Sequence, residues 1–368
     1  MRLLKSSPKA KKPDLLLLGL VVAITLFGLI MVYNASVVEA FQLFSDKYYF
    51  LKLQALWALL GFMALFFTTF LPLSFFKKIS LAALVFSLLL LILVLIPDIS
   101  EISFGARRWI NLFGFSLQPS ELIKLTLSLY LAAWLAKDRP FWPYLVILIV
   151  ILGLIMLQPD LGTAIVIILT AILVYYSSGA PLLYLLLLGV LGTTSGLGLI
   201  FSSPYRKERL LTFFNPTRDP LGSSYHIQQA LIAIGSGGLW GLGLGQSRQK
   251  YQFLPQVSTD SIFAIIAEEI GFFGASLVIL LLFAIVLRAF RIARLAPDSF
   301  SRLLATAIAS WFGLQALINL AAMLALLPLT GVPLPFISYG GSSLIVTLTA
   351  VGLLLNISRF QLSPKKKL

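Results

Sequence analysis

Few residues in this chain can do acid–base chemistry, and their spacing keeps them apart. The sequence holds 14 carboxylates, one histidine and no cysteine. Lacking Cys, it has no thiolate nucleophile, disulfide or Cys-based metal site. The lone His226, in SSYHIQQ, argues against a His-rich metal site or a Ser-His-Asp triad and reads as a local hydrogen bonder. Glu121, Glu268 and Glu269 lie inside apolar runs. A charge at a helix centre costs about 2.5–3.5 kcal/mol on insertion scales, so embedded acids are candidates for function. Asp260 stands at the mouth of the run that holds the two glutamates. Local sequence (STDSIF) reads it as a helix N-cap; the functional reading is a carboxylate facing an outward cavity. Glu268 lies about 80° around and roughly 12 Å deeper than Asp260, and Glu269 at about 180°. The three acids therefore cannot form one carboxylate pair. Glu268 is placed to line the same cavity more deeply, Glu269 to meet a polar partner on another helix. Glu121 precedes Lys124 by three residues on one helix face; a structural ion pair and a cavity-lining pair are both open.

Cations complete the set. Arg107, Arg108, Arg206, Arg209, Arg248 and Lys250 fall in segments expected to face outward. Arginines gripping an anionic substrate, with a carboxylate to take a proton, would do transferase-like chemistry. Taken singly, each reads more simply as a lipid headgroup contact. Asp14, Asp138 and Asp298, near charged ends of apolar runs, read as solvated. The glycines of GSGGLWGLGLG do not make G-x-G-x-x-G, because Trp240 stands where the third glycine belongs; tight backbone packing is the better reading.

The elements that must position these groups follow from composition. The 368 residues are 59% hydrophobic and 11% charged, with mean hydropathy +0.97, far from a soluble domain. Runs of about 20 apolar residues predict membrane helices rather than a barrel. The expected fold is an all-α integral membrane protein with ten transmembrane helices, at 14–35, 50–71, 79–97, 119–136, 142–158, 160–177, 181–202, 261–288, 302–326 and 341–357. Lys and Arg crowd the segments that an N-in/C-in orientation places in the cytoplasm. The net charge of +14 is therefore a topology signal, and no nucleic-acid partner is expected. The basic start, 1–13, precedes an uncleaved first helix rather than a signal peptide. A single domain spans 1–368, with a large outer loop at 203–260 between helices 7 and 8 and a basic cytoplasmic end at 358–368. The Pro- and Gly-rich 327–343 cannot be a regular helix and must be lined by protein or water.

Four ordered motifs, GARRWINLFGFSLQPSELIKL at 105–125, QPDLGTA at 158–164, the 234–274 stretch running through GQSRQKYQFLPQVSTDSIF, and PLTGVPLPFISYGGSSL at 328–344, resemble the SEDS family (shape, elongation, division and sporulation), which includes FtsW and RodA. The resemblance covers nearly the whole chain. GQSRQKY and the ending GLLLNISR look more like FtsW, whereas TGVPLPFISYGGSS also suits RodA. The resemblance implies a peptidoglycan glycosyltransferase that polymerises lipid II at the outer face of the bacterial cytoplasmic membrane during division or elongation. It further implies a class B penicillin-binding protein as transpeptidase partner, among divisome or elongasome proteins. The family's essential loop acid falls on Asp260, its Arg-Trp motif on Arg108 and Trp109, its Glu/Lys pair on Glu121 and Lys124, and its Ser-Tyr-Gly-Gly-Ser turn on Ser338 to Ser342. The family commonly reads L-P-E-x-H-T-D-F; here Gln256, Ser258 and Ser261 replace the Glu, His and Phe, and His226 stands where Gln is usual. No role for that Glu or His, metal binding included, carries over.

Transfer from a lipid diphosphate needs a base for the acceptor 4-hydroxyl, and Asp260 is assigned that role. The leaving diphosphate needs cations: Arg108 and Arg248, with Arg107 or Lys250. A divalent cation could share the task, but the sequence shows no ligand set for one. Two rival classes are a lipid II flippase, using Glu121, Lys124, Glu268 and Glu269 as a polar path, and a non-catalytic scaffold that recruits a transpeptidase.

Overall fold

In lipid, only a helix or a closed barrel satisfies its own backbone N–H and C=O groups, and the apolar runs here fold as helices. A computed structural model describes residues 11–97, 99–103, 106–112, 115–137, 140–201, 204–214, 224–251 and 253–362. The turn-rich 215–223 and the basic stretches 1–10 and 363–368 lie outside the described residues, as do Asp98, Asp138 and the side chain of Arg206. In chain order the elements are α1 (Leu15–Phe44), α2 (Tyr49–Phe70), α3 (Leu73–Leu93), β1 (Ser100–Ser103), β2 (Ala106–Leu112), β3 (Phe115–Leu117), α4 (Pro119–Leu135), α5 (Phe141–Leu157), α6 (Leu161–Ser177), α7 (Leu182–Phe201), α8 (Pro204–Phe214), α9 (Tyr225–Ser236), α10 (Ile262–Arg294), α11 (Ser299–Met323) and α12 (Gly341–Ser358).

A helix lies on each apolar run read from the sequence. Among the described residues, six of them, α1, α2, α3, α10, α11 and α12, are long and apolar enough to cross a membrane. The expected all-α class is corrected in one place: the outer 98–118 segment contains a three-stranded antiparallel sheet in the order β1-β2-β3. Strand alternation explains it: in β2, Ile110 turns inward onto Leu90 and Val94 while Asn111 faces out. The large outer loop is also not irregular throughout, since α8 and α9 lie within it.

Helices α11 and α12 are buried along most of their length. Small residues let α2 approach α12: a Cβ on Gly352 would run into Leu65 and Thr68, as expected where close packing drives helix association. Asn356 Nδ2 then donates to the Thr68 and Leu71 carbonyls at 2.8 and 2.5 Å, where α2 ends. Outer helices present Phe66, Phe67, Leu81, Ile149 and Leu186 to their surroundings.

The two chain ends meet. Lys11 N donates to Arg359 O (2.7 Å), Asp14 N to Ser358 Oγ (2.9 Å) and Leu362 N to Leu295 O (3.0 Å). Asp14 is not simply solvated, contrary to the sequence reading. It caps α1 through Leu17 N at 3.0 Å and pairs with Arg288 Nε at 2.7 Å, its side chain 7% exposed. Asp298 caps α11 by accepting from Ser301 N at 3.1 Å.

Candidate active site around Asp260

Residues 254–261 form a turn that delivers the chain into α10. Ser261, not Asp260, is the N-cap residue, and among the described residues no side-chain oxygen caps α10. The local cap reading of Asp260 is thus overturned. Gln256 has φ +52, a region non-glycine residues rarely occupy, and this bends its amide back over Asp260. In the orientation that satisfies both partners, its Nε2 donates to Oδ1 at 2.5 Å and to Oδ2 at 3.2 Å. The Thr259 hydroxyl donates to Oδ1 at 3.1 Å. The side chain that local propensity assigns to the helix end is drawn instead into the turn.

Three elements hold this turn. From α11, Asn319 Nδ2 donates to Asp260 O and Val332 O, both at 2.8 Å. From the 327–340 segment, Ser338 Oγ donates to Thr259 O (2.5 Å) and Tyr339 N to Ser258 O (2.8 Å). From α9, His226 Nε2 lies 2.7 Å from Ser261 Oγ, whose own proton goes to Pro255 O at 2.9 Å. Asp260 is 5% exposed. Burial raises its pKa above the ordinary carboxylate range, opposed by the nearby charges of His226 and Arg209 and by its hydrogen bonds. Burial, reinforced by Arg209, lowers the pKa of His226, while the Asp260 charge acts the other way. A cavity of about 190 Å³ reaches the turn through His226 and is lined by Glu208, Arg209, Thr212, Phe213, His226, Ile227, Pro328 and Leu329; Asp260 itself is not in its lining. Arg209 Nη1 donates to Leu329 O at 2.9 Å at its rim.

Other residues singled out from the sequence are placed differently. Ser338 holds the Asp260 turn. Ser342 accepts from Gln118 N (3.0 Å) and donates to Ser116 O (3.2 Å), fixing β3 to α12. Arg108 donates to the Gln158 and Pro159 carbonyls at 3.0 and 2.5 Å, tying β2 to the turn before α6. Arg107 and Trp109 are half-buried on the same strand, and Arg107 Nη1 is buried without a hydrogen-bond partner among the described residues. Glu121 and Lys124 form a sealed pair at 2.7 Å, their side chains 1% and 2% exposed. Lys124 also donates to Gln315 Oε1 at 2.7 Å, and Gln315 Nε2 donates to Pro333 O at 2.9 Å. Gln315 and Asn319 stand one turn apart on α11 and grip adjacent carbonyls, so this pair reaches the Asp260 turn through the backbone of 332–333.

Lys250 is corrected. It is buried, pairs with Glu269 at 3.4 Å and donates to Gly245 O at 2.5 Å, which removes it from any diphosphate. Glu268 does not line the cavity: it accepts from Ser247 Oγ (2.5 Å) and Arg248 N (3.0 Å). Both glutamates therefore hold the 247–250 segment, with the Arg248 side chain left exposed. The sequence reading has no role for Asn319 and treats Gln256 only as a departure from the family pattern. It noted Arg209 and His226 but had no means to see that chain reversal brings them to Asp260. Among the described residues, no three His, Asp or Glu side chains converge to hold a metal ion.

Comparison with known proteins agrees with this architecture. Residues 14–363 match the family model described as cell cycle protein, FtsW/RodA/SpoVE. The chain is 43% identical to stage V sporulation protein E of Bacillus subtilis, over 96% of this chain and 98% of that protein. It is 42% identical to a probable peptidoglycan glycosyltransferase FtsW of Trichlorobacter lovleyi, over 97% and 96%. Among solved structures, it superposes on the rod shape determining protein RodA of Thermus thermophilus with TM-score 0.70 at 30% identity, covering 95% of this chain and 98% of that one. A chain from a peptidoglycan synthase complex that coordinates polymerization and crosslinking superposes with TM-score 0.77 at 32% identity, covering 94% and 98%. With nearly its full length matched by the family model and by these relatives, the chain belongs to the FtsW/RodA/SpoVE family.

Proposed function

We propose that this protein is a peptidoglycan glycosyltransferase that joins lipid II units into glycan strands at the outer face of the bacterial cytoplasmic membrane. The observation that carries the reading is Asp260: buried, in a turn held from three elements, with His226, one of those holding groups, walling a cavity together with Arg209. Its raised pKa strengthens it as a base relative to an exposed aspartate. The Gln256 amide, which bonds both carboxylate oxygens, is the group the acceptor 4-hydroxyl displaces. Asp260 then takes the hydroxyl proton as the sugar oxygen attacks the anomeric carbon of the donor, and the diphosphate leaves with the bonding electron pair. Direct displacement inverts that carbon. Arg209, with exposed Arg248 and the outward β2 arginines Arg107 and Arg108, supplies charge for the leaving group. No step is routed through a metal ion.

The reading includes ten spans, N-in/C-in, in a single domain, with α8 and α9 in the outer loop. The chain ends' hydrogen bonds to each other support placing both on one side. The family description, cell cycle protein, and the FtsW relatives support a division-type role, and the likeness to a chain from a complex that coordinates polymerization and crosslinking supports a class B penicillin-binding protein as partner. The flippase reading needs a polar path through the bundle. Glu121 and Lys124 are sealed against each other and Glu268 and Glu269 are bound to the 247–250 segment, so no observation favours it. Asp260→Asn decides the matter: purified protein given lipid II and its transpeptidase partner should lose at least about 100-fold in glycan synthesis, the scale of general-base catalysis. Polymerisation at the normal rate by a folded variant would remove Asp260 from the chemistry.

A further inference from the structure

We infer that His226 is a positioning residue for Asp260, and that it makes the acid limit of polymerisation depend on the protonation of an imidazole in the cavity wall. The inference rests on Asp260 being the base and goes one step beyond it.

The geometry is specific. Asp260 sits between Thr259 and Ser261, and each neighbour is held from outside the turn. Thr259 is held through its carbonyl by Ser338, and Ser261 through its hydroxyl by His226 at 2.7 Å. The Ser261 hydroxyl donates to Pro255 O at 2.9 Å. Its oxygen therefore accepts from the imidazole, which places the ring proton on Nε2. That bond joins α9 to the N-cap residue of α10 and closes the 255–261 turn. Of the side chains that hold the turn (Asn319, Ser338 and His226), only the imidazole titrates near neutral pH. His226 also lines the cavity, so protons and substrate meet it from the same side.

Among the described residues, the charged groups facing it are Asp260 from the turn and Arg209 and Glu208 from α8. Burial and Arg209 favour the neutral ring, and Asp260 favours the cation. At neutral pH the neutral ring donates its single N–H to Ser261. As pH falls, the second nitrogen gains a proton, and the new positive charge lowers the Asp260 pKa. His226 therefore keeps the base ionised to lower pH than burial alone would allow.

The test uses full-length protein with lipid II and its transpeptidase partner, reading rates from about pH 5 to pH 9 for three variants. His226→Gln keeps a side-chain N–H for Ser261 but cannot titrate. It should hold the neutral-pH rate within about twofold while its acid limb moves to higher pH. His226→Ala loses the bond as well and should drop about tenfold in kcat at neutral pH, the scale of one lost hydrogen bond, with KM for lipid II little changed. Rescue by Gln at neutral pH, but not at acid pH, is the signature expected. An acid limb unchanged in His226→Gln overturns the inference, as does a wild-type rate in His226→Ala at every pH. Should the Ala variant misfold, the Gln profile decides alone. Asp260→Asn in the same assay separates the two readings. Normal synthesis there sinks the assignment of the base, whereas inactive Asp260→Asn beside wild-type-like His226→Gln and His226→Ala sinks only the role of the histidine.

Discussion

At the residue scale, Asp260 is a group placed at a cost to the fold. Its folded-state pKa is raised by burial. Such a group stabilises the fold when protonated, below its unfolded pKa, and that contribution is lost as pH rises through the folded value. At pH 7 the ionised carboxylate therefore weakens the structure it serves. Asp260→Asn should raise the thermal unfolding temperature in detergent at pH 7, and the gap to wild type should narrow toward acid pH. A lower unfolding temperature would mean that the carboxylate contributes to stability and is not the destabilised functional group described here. The residue itself was legible in the sequence as an acid at the mouth of an apolar helix. Its setting was not. An Asp before a helix reads as a cap, and only the positive φ of Gln256 and the grip of Asn319, 59 residues away, turn the carboxylate inward. The His226–Ser261 bond spans 35 residues and carries no local signal.

At the element scale, α10 shows why the inner acids were misread. Gly271 breaks the helix with φ +66, where a Cβ would meet the backbone of residues 239–241. The 237–250 segment doubles back there, and Leu242 N and Gly243 N donate to the carbonyls of Glu268 and Glu269 at 3.0 and 2.9 Å. A regular helix would send Glu268 and Glu269 to different faces; the returning segment meets both, and their carboxylates hold it. Sequence periodicity locates the helix but not a chain that folds back on it. The backbone-packing reading of the glycine run holds at Gly237 and Gly241, where a Cβ would meet the backbone of residues 267–271, but not at Gly235, Gly238 or Gly245, which have open space. A consequence follows for the Lys250–Glu269 pair, whose side chains are 3% and 0% exposed. Removing one member strands the other, at about 3–5 kcal/mol, whereas replacing both with uncharged groups of similar size costs far less. Glu269→Gln should therefore be strongly destabilised, and Lys250→Met with Glu269→Gln should recover most of the loss in thermal unfolding. Additive losses in the double variant would show that the two side chains do not interact.

At the scale of the whole molecule, the site is assembled by elements that meet only when the bundle closes: α9 and the Asp260 turn from the outer loop, Asn319 and Gln315 from α11, and the 327–340 segment. The same closure brings residues 11–14 onto 358–362, beside the α10–α11 connection. Residues 11–14, residues 358–362 and that connection therefore share one end of the bundle; the proposed topology puts the sheet and the cavity at the other. On the proposed orientation, which follows the charge bias, the first end is cytoplasmic. The absence of cysteine makes this directly measurable, because any introduced thiol is the only one present. In intact spheroplasts, a membrane-impermeant maleimide should label Lys47→Cys and Tyr251→Cys, both exposed positions at the outer end. It should label Lys78→Cys, Arg294→Cys and Leu362→Cys only after the membrane is permeabilised. Labelling of Arg294→Cys from outside would invert the whole arrangement, placing the Asp260 cavity on the cytoplasmic side, where it could not extend strands beyond the membrane.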